Sequence, residues 1–220
     1  WGKLKSSSTI SSYYKKFRLS LKEIVREGIL PKNPTDEVKV PKPIHKEREY
    51  LTKEEIRALI NTPLKQYNLK QFYLLSCFTG LRHSDIKRLT WKSIVKENNR
   101  HFIKIIIKKS KEPIKIPLSP DALEILGERR GDDDKVVTGL VYSGYYNIII
   151  KQWCIIAGIR KEITPHTARH TFATLFASQT KDWKSLQYIM GHKDLKTTQI
   201  YAKLVSEDVQ DSMDKMEKLF

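Results

Sequence analysis

A dense group of basic side chains lies at residues 166–170, which read His-Thr-Ala-Arg-His. If this segment is a helix, His166, Arg169 and His170 share one face, because residues three and four apart are neighbours on a helix. Three interpretations are open. A zinc protease would use His-Glu-x-x-His, but Thr167 stands where that motif needs its glutamate. The histidines can instead be hydrogen-bonded core residues, or an arginine fork and an imidazole can bind one phosphate.

A second candidate is Arg82, which follows the sequence Thr-Gly-Leu and precedes a short helix that Ser84 is expected to cap. A glycine followed closely by a helix start makes a turn that can hold an arginine toward a cleft. Asp85 comes three residues later and can orient a neighbouring group. An ordinary surface arginine is the alternative interpretation.

A lysine-rich turn, with Lys108, Lys109 and Lys111, lies between two apolar segments that are predicted strands. The tip of such a hairpin can enter a DNA groove, and a lysine there can reach a phosphate or a leaving oxygen. A solvated charge cluster that protects the sheet edge is the alternative. Near the end of the chain, His192 and Tyr201 flank a short predicted helix, and a late tyrosine often serves only in packing.

The overall charge points to a polyanionic partner. The 220 residues include 41 Lys and Arg against 25 Asp and Glu, a net charge of +16. Such an excess repels itself unless a polyanion offsets it, so nucleic acid is the first candidate and an anionic membrane surface the second. No apolar stretch approaches membrane-spanning length, and no signal peptide is evident. Because the chain begins with Trp1, we expect a fragment or a processed product.

The cysteines, Cys77 and Cys154, each lie in an apolar run and are predicted to be core residues. They offer neither a disulfide framework nor zinc spacing, so a reducing interior suits the chain.

The elements that must position these residues are mostly helical. Residues 8–28 have helical periodicity, with an apolar face that comprises Tyr13, Phe17, Leu21, Ile24 and Val25. The proline-rich, charged segment 29–49 is a predicted linker.

The main domain is predicted to open near Tyr50, where Thr52 and Glu55 form a capping box. A helix over 67–79 should stop at Gly80. Segments 101–107 and 113–117 are predicted strands, Ser119 should cap another helix, and the acidic segment 131–143 should be a loop. Further helices are predicted over 144–157, 166–179, 182–190, 195–203 and 206–217.

Individually these features are weak, but their order resembles the signature of the tyrosine recombinase, or phage integrase, family. TGLRHSDIKRLTWKSI resembles the family's first arginine box and GHKDLKTTQIYAKL its nucleophile box. Arg169 precedes His192 by 23 residues and His192 precedes Tyr201 by nine, which are usual intervals for the family. Residues 8–45 resemble the last helix of the core-binding domain and the linker after it, so the resemblance covers nearly the whole chain.

The resemblance implies a role for each matched residue. Two arginines would clamp the scissile phosphate, two histidines would complete the pocket, and Tyr201 would be the nucleophile. Lys109 lies eight residues before Pro117, the family's spacing for the catalytic lysine, with Lys108 and Lys111 as the nearest alternatives and as DNA contacts. The implied catalytic set is Arg82, Lys109, His166, Arg169, His192 and Tyr201, with Asp85 and His170 in support.

The resemblance also implies a fold and a reaction. The fold would be mainly α with a small antiparallel β-sheet (α+β), divided into a core-binding remnant (1–28), a linker (29–49), a catalytic domain (50–203) and a helical tail (204–220) that packs in cis or docks on a neighbouring protomer. The enzyme would exchange DNA strands through a 3′-phosphotyrosine and a Holliday junction, with no metal, cofactor or ATP.

The resemblance also implies binding partners, a location and a biological role. The partners would be double-stranded recombination sites, other copies in a tetramer on DNA (with a monomer in isolation as the alternative), and accessory proteins that bend DNA or set directionality. The implied location is the prokaryotic cytoplasm at the nucleoid, and the implied biological role is that of a mobile-element or prophage integrase. A type IB topoisomerase and a non-catalytic DNA-binding protein are the rival functions.

Overall fold

A computed structural model describes residues 7–39, 48–140 and 144–205, with side chains up to Tyr201 in the last range. The chain divides into two compact units, Trp1–Glu47 and Arg48–Phe220. The predicted helix over 206–217 lies outside the described residues, as does most of the tail 204–220. Within the described residues, no helix has the length and apolar character that crossing a membrane requires.

The first unit is built on helix α1, Ser7–Arg26, which is followed by a turn with Gly28 at φ +74°. Residues 33–38 fold back as turns onto this helix, where buried Tyr14 donates a 2.5 Å hydrogen bond to the carbonyl oxygen of Thr35. The predicted apolar face is only partly correct. Tyr13 and Phe17 are 55% and 58% exposed, because the turn packs on the neighbouring Tyr14 instead.

The second unit begins with three helices: α2 (Lys53–Asn61), α3 (Tyr67–Thr79) and the single turn α4 (His83–Ile86). The capping box of Thr52 and Glu55 starts α2 as predicted, and Gly80 ends α3 with φ +68°. Ser84 does not cap α4, so that prediction is wrong. The helix begins two residues earlier than a Ser84 cap implies, at His83, and Arg82 stands at the cap position without a side-chain capping hydrogen bond.

A three-stranded antiparallel sheet follows, with β1 (Ile94–Glu97), β2 (Arg100–Ile106) and β3 (Pro113–Pro117) in sequence order. Ile94, Ile103 and Ile116 lie opposite one another across it and face the core. Strand β1 was not predicted. Asn98 and Asn99, at φ 45° and 63°, form the tight turn that joins it to β2.

The remaining elements are helical, as predicted. Helix α5 (Pro120–Leu126) is capped by the Ser119 side chain, and a loop leads to residue 140. Helices α6 (Gly144–Ile156), α7 (Pro165–Thr180), α8 (Trp183–Ile189) and α9 (Lys196–Val205) complete the described chain. The fold is mainly helical with one small sheet, which confirms the predicted class.

Helix α3 is the centre of the second unit and packs against both α5 and α7. It is buried on almost every side, as a helix that is apolar all round requires. Cys77 and Cys154 are buried in the main core, as predicted. A second, smaller cluster joins α7, α8 and α9, and consists of Ala173, Ala177, Leu186, Met190 and Tyr201.

Candidate active site

Arg169 connects three segments of the site. It lies in the second turn of α7 and is only 6% exposed. Its guanidinium donates to the carbonyl oxygens of Gly80, after α3, and Met190, after α8, and its Nη2 lies 3.3 Å from Nε2 of His192. Burial, followed by the positive charge of Arg82, lowers the pKa of Arg169 to about 9. The group stays protonated at neutral pH, so Arg169 brings a fixed positive charge to the junction of these segments.

Arg82 brings a second positive charge into the site from the turn between α3 and α4. It is partly buried, and burial lowers its pKa while the charges of Asp85 and Tyr201 act in the opposite direction. Its Nη1 is buried and has no hydrogen-bond partner among the described residues. An unpaired buried guanidinium N–H is costly unless an acceptor reaches it, so this atom is suited to an anionic ligand.

Asp85 is fully buried and anchors the lysine-rich hairpin. Its Oδ1 accepts 2.9 Å hydrogen bonds from the backbone N–H of Lys108 and from Nη2 of Arg88. On its other side the hairpin packs closely on the loop after α8: Ser110 is buried, and a Cβ placed on Gly191 would lie 3.4 Å from its Oγ. The hydrogen bond to Asp85 therefore fixes the turn at α4, and its other side leaves little space beside Gly191.

The predicted lysines lie at this turn, where Lys108, Lys109 and Lys111 are all exposed. Lys111 has φ 64°, and its backbone N–H donates to the carbonyl oxygen of Ile107, which closes the turn. The charge of Lys109 contributes to the lowered pKa of His192, so this lysine lies within electrostatic range of the site.

His192 is held between Arg169 and a threonine that was not predicted. Its Nδ1 lies 2.9 Å from Oγ1 of Thr198, which is fully buried on α9. A guanidinium can only donate, so Nε2 of His192 must accept from Arg169, and Nδ1–H donates to Thr198. Burial and the charges of Arg169, Arg82 and Lys109 lower the pKa of His192 to about 4. The imidazole is therefore neutral at physiological pH.

Tyr201 lies on α9 with its ring in the smaller apolar cluster and is 2% exposed. Its hydroxyl is 2.8 Å from Nδ1 of His170 on α7. Burial raises the pKa of the phenol, while the charges of Arg169, Arg48 and Arg82 act to lower it. A buried tyrosine close to three arginines is well placed for its phenolate to be stabilised.

Sequence reasoning missed Arg48, which it assigned to the linker. Its Nη1 lies 3.4 Å from Nε2 of His170, and its charge acts on both His170 and Tyr201. In a run that reads Lys-Glu-Arg-Glu, nothing marks this arginine as different from its neighbours. The signal for Thr198 was weak but present, because it stands three residues before Tyr201, on the predicted helix that leads to the tyrosine.

The structure thus brings together most of the predicted site residues. Those that meet through hydrogen bonds or electrostatic interactions are Arg82, Asp85, Lys109, Arg169, His170, His192 and Tyr201. His166 is exposed in the first turn of α7, and its charge acts on His83 and His170. Within the described residues, no three His, Cys, Asp or Glu side chains are grouped so as to hold a metal ion.

Comparisons with known proteins agree on one family. The sequence matches the phage integrase family over residues 49–207. It is 30% identical over 227 residues to tyrosine recombinase XerD of Oceanobacillus iheyensis, covering 94% of this chain and 75% of that protein. Tyrosine recombinase XerD of Halalkalibacterium halodurans is 31% identical over 207 residues, covering 86% and 68% respectively.

The solved structures support the fold. The Tn1549 transposon integrase, in complex with circular intermediate DNA, superposes with a TM-score of 0.67 at 22% identity, over 89% of this chain and 75% of that one. At that level of identity the likeness concerns the fold alone.

Proposed function

The chain belongs to the phage integrase family and is a tyrosine recombinase, and we propose that it cuts and rejoins DNA at specific sites through a covalent bond to Tyr201. The observation that carries this proposal is the placement of Tyr201 within electrostatic range of Arg82 and Arg169, in a site where Arg82 retains a buried, unpaired N–H. A phosphodiester is the anionic group that such a site would bind and that a tyrosine can attack.

The proposed cleavage is a transesterification. Tyr201 loses its phenolic proton, its oxygen bonds to phosphorus, and the bond from phosphorus to the 5′ oxygen breaks. A 3′-phosphotyrosine and a 5′-hydroxyl result, and the leaving oxygen takes up one proton. One phosphoester replaces another, so the balance requires no ATP and no metal ion. Tyrosine is a weak nucleophile at neutral pH because its pKa is near ~10. The site must therefore supply positive charge that stabilises two species: the Tyr201 phenolate, and the pentavalent phosphorane that forms when its oxygen bonds to phosphorus.

The residues around Tyr201 supply these requirements. Arg82 and Arg169 stabilise the charge that develops on the phosphorane, as fixed donors do in a site of low dielectric. His192 and His166 complete the phosphate pocket. Lys109, on the exposed turn between β2 and β3, is the candidate acid for the 5′ oxygen. Tyr201 interacts with arginines of its own chain, which favours attack in its own protomer.

Strand exchange follows from reversing the first step with a different hydroxyl. The 5′-hydroxyl of a partner strand attacks the phosphotyrosine, and two such rounds pass through a Holliday junction. Four active sites on two duplexes require a tetramer. We propose that residues 1–28 belong to the DNA-clamping core-binding domain, that 29–49 is the linker, that 50–203 is the catalytic domain, and that the tail 204–220 acts in assembly.

Binding would depend mainly on backbone phosphates, given the net charge of +16. Two Xer recombinases are the relatives described above, and both are bacterial. This supports action on chromosomal or mobile-element DNA in a prokaryotic cytoplasm, with accessory DNA-bending or directionality proteins as further partners.

A covalent trap tests the proposal. Because the target site is unknown, the probe is a library of nicked duplexes with a randomised centre, in which the short strand beyond the cut diffuses away and traps the adduct. Wild-type protein should form a denaturant-stable protein–DNA adduct, and Tyr201→Phe should form none. Absence of any adduct from wild type, with DNA binding retained, would favour a non-catalytic binder. Relaxation of supercoiled plasmid without strand exchange would favour a topoisomerase.

A further inference from the structure

Arg48, His170 and Tyr201 form a chain of polar contacts that joins the start of the second unit to the proposed nucleophile. Arg48 Nη1 lies 3.4 Å from His170 Nε2, and His170 Nδ1 lies 2.8 Å from the Tyr201 hydroxyl oxygen. The contacts link positions 122 and 31 residues apart in sequence. Arg48 is exposed, whereas Tyr201 is buried, so the chain of contacts runs from solvent to the phenol.

Donor and acceptor roles along this chain are fixed by the arginine. A guanidinium has five N–H donors and no acceptor, so His170 Nε2 must accept and carries no proton. In a neutral imidazole the proton then resides on Nδ1. Nδ1–H donates to the oxygen of Tyr201, and the phenol keeps its own proton free for transfer elsewhere. In the opposite tautomer, an Nε2–H would face the donors of Arg48, and Nδ1 would accept from the phenol.

We propose, on the basis of the function proposed above, that Arg48 is a positioning residue that fixes the Nδ1–H tautomer of His170, so that His170 donates to the Tyr201 oxygen and stabilises its phenolate. His170 is then a hydrogen-bond donor to the nucleophile and not its general base. Arg48 also acts on the Tyr201 phenol directly, through its positive charge and a side-chain hydrogen bond, and both add to the effect.

The charges around His170 keep it neutral. Burial, then Arg48 from the segment before α2, then His166 and Arg169 from α7, lower the pKa of His170 to about 4. The other titratable groups that act near it are Tyr201, from α9, and His192, from the loop between α8 and α9. Protonation would place a proton on Nε2 against Arg48. His170 therefore keeps one proton, on Nδ1, throughout the physiological pH range.

Tautomers can be observed directly in the free protein. In a long-range ¹H–¹⁵N spectrum of ¹⁵N-histidine-labelled protein at pH 7, each of the six histidines gives a tautomer-specific pattern. His170→Asn identifies the His170 signals by their loss. Wild type should show the Nδ1–H form. Arg48→Ala should convert His170 to a mixture or to the Nε2–H form, and Arg48→Lys, which keeps a charged donor, should restore the wild-type pattern.

Arg160 offers the matched control. It is exposed, and no hydrogen bond or ion pair involves it within the part of the chain that the structure describes. Arg160→Ala removes the same charge and should leave the His170 pattern unchanged. An Nε2–H pattern in wild type, or an unchanged pattern in Arg48→Ala, would overturn the proposal. Because this spectrum needs no DNA, its result does not depend on the proposed function.

The same variants test the consequence for the reaction. On a trapped duplex recovered from the library, Arg48→Ala should form the adduct about tenfold more slowly than wild type, the effect of losing about one charged hydrogen bond. Its rate profile should shift to higher pH, because Tyr201 loses a positive neighbour. Arg160→Ala should match wild type. Equal rates for Arg48→Ala and wild type at every pH would refute the inference, whereas no adduct from wild type would refute the proposed function.

Discussion

The backbone N–H of Lys108 donates a 2.9 Å hydrogen bond to Oδ1 of Asp85, which is fully buried. This contact ties the base of the lysine-rich hairpin to the helix that directly follows Arg82. The proposed general acid, Lys109, is the next residue on the hairpin. The backbone next to an exposed lysine is thus held by a carboxylate that is itself fully buried.

Removing this carboxylate should loosen the hairpin. Asp85→Ala should lower the free energy of unfolding by about 2–3 kcal/mol, since it removes the acceptor of two hydrogen bonds, one of them from a charged group. Asp85→Asn keeps an acceptor for Lys108 and should lose less stability. Urea unfolding measures the stability, and adduct formation by the two folded variants measures the position of Lys109. If the asparagine variant is as defective as the alanine variant in both assays, the hydrogen bond to Lys108 is not what matters.

Lys109 should become dispensable when the leaving group needs no proton. Lys109→Ala should slow adduct formation on ordinary DNA by about 10²–10⁴-fold, the usual contribution of a general acid. On DNA whose bridging 5′ oxygen is replaced by sulfur, the rate should return, because a thiol has a pKa near ~8.5 and leaves as the thiolate. Lys108→Ala and Lys111→Ala are the matched controls. A rescue seen with Lys111→Ala, and not with Lys109→Ala, would move the role to that lysine.

Stability should fall as the pH drops from 6.5 to about 4. His170 and His192 have pKa values lowered from 6.5 to about 4 in the fold, chiefly by burial. Between those limits the unfolded chain binds more protons than the folded chain, so acid favours unfolding there. Urea midpoints at pH 7 and pH 5 measure the loss. His170→Asn and His192→Asn should each make it smaller, and an unchanged loss in both variants would contradict the assignment.

Gly80 should tolerate no side chain. It has φ +68°, and a Cβ there would lie 2.5 Å from Cδ1 of Phe172. Gly158 has a similar φ of +82°, with nothing within 4 Å of its Cβ position. An alanine at this position therefore measures the cost of backbone strain without a steric clash. Gly158→Ala should cost about 1–2 kcal/mol and Gly80→Ala about 3 kcal/mol or more. Equal losses in urea unfolding would show that the contact with Phe172 relaxes freely.

Thr198 should matter through its hydroxyl. Thr198→Val preserves the shape but removes the acceptor for Nδ1–H of His192, which would leave a partly buried donor unpaired. Adduct formation should slow by about tenfold, the equivalent of about 1.4 kcal/mol. Thr198→Ser keeps the hydroxyl and should react at close to the wild-type rate. Valine and serine variants of equal activity would indicate that Thr198 serves only in packing.

The parts of the fold that depend on local chemistry could be predicted from the sequence. The capping box at Thr52 and Glu55 and the left-handed stop at Gly80 are local, and both are confirmed. Strand β1 was missed because it has only four residues of mixed polarity, although asparagine tolerates the positive φ that both positions of the following Asn98-Asn99 turn adopt. An alternation of apolar and polar residues cannot be recognised over only four positions.

Site residues that belong to a sequence motif could be predicted from their order along the chain. Residues that reach the site only through tertiary packing could not. The resemblance named Arg82, Arg169, His192 and Tyr201, and the fold brings them together. Arg48 reaches His170 across 122 residues, a distance over which no local pattern operates. Similarly, the carbonyl groups of Gly80 and Met190 hold Arg169 in place, and backbone acceptors of this kind leave no mark in the sequence.

The ring of Tyr201 belongs to the small apolar cluster that also holds Leu186 and Met190. The side chain proposed to attack DNA is therefore also a hydrophobic packing residue. Any movement that carries its hydroxyl toward a phosphate draws the ring away from these neighbours. Under the proposed reaction, the apolar side chains of α7 and α8 would then influence cleavage without contacting DNA. A change of one methyl group in this cluster would then alter the proposed reaction with every charged residue of the site unchanged.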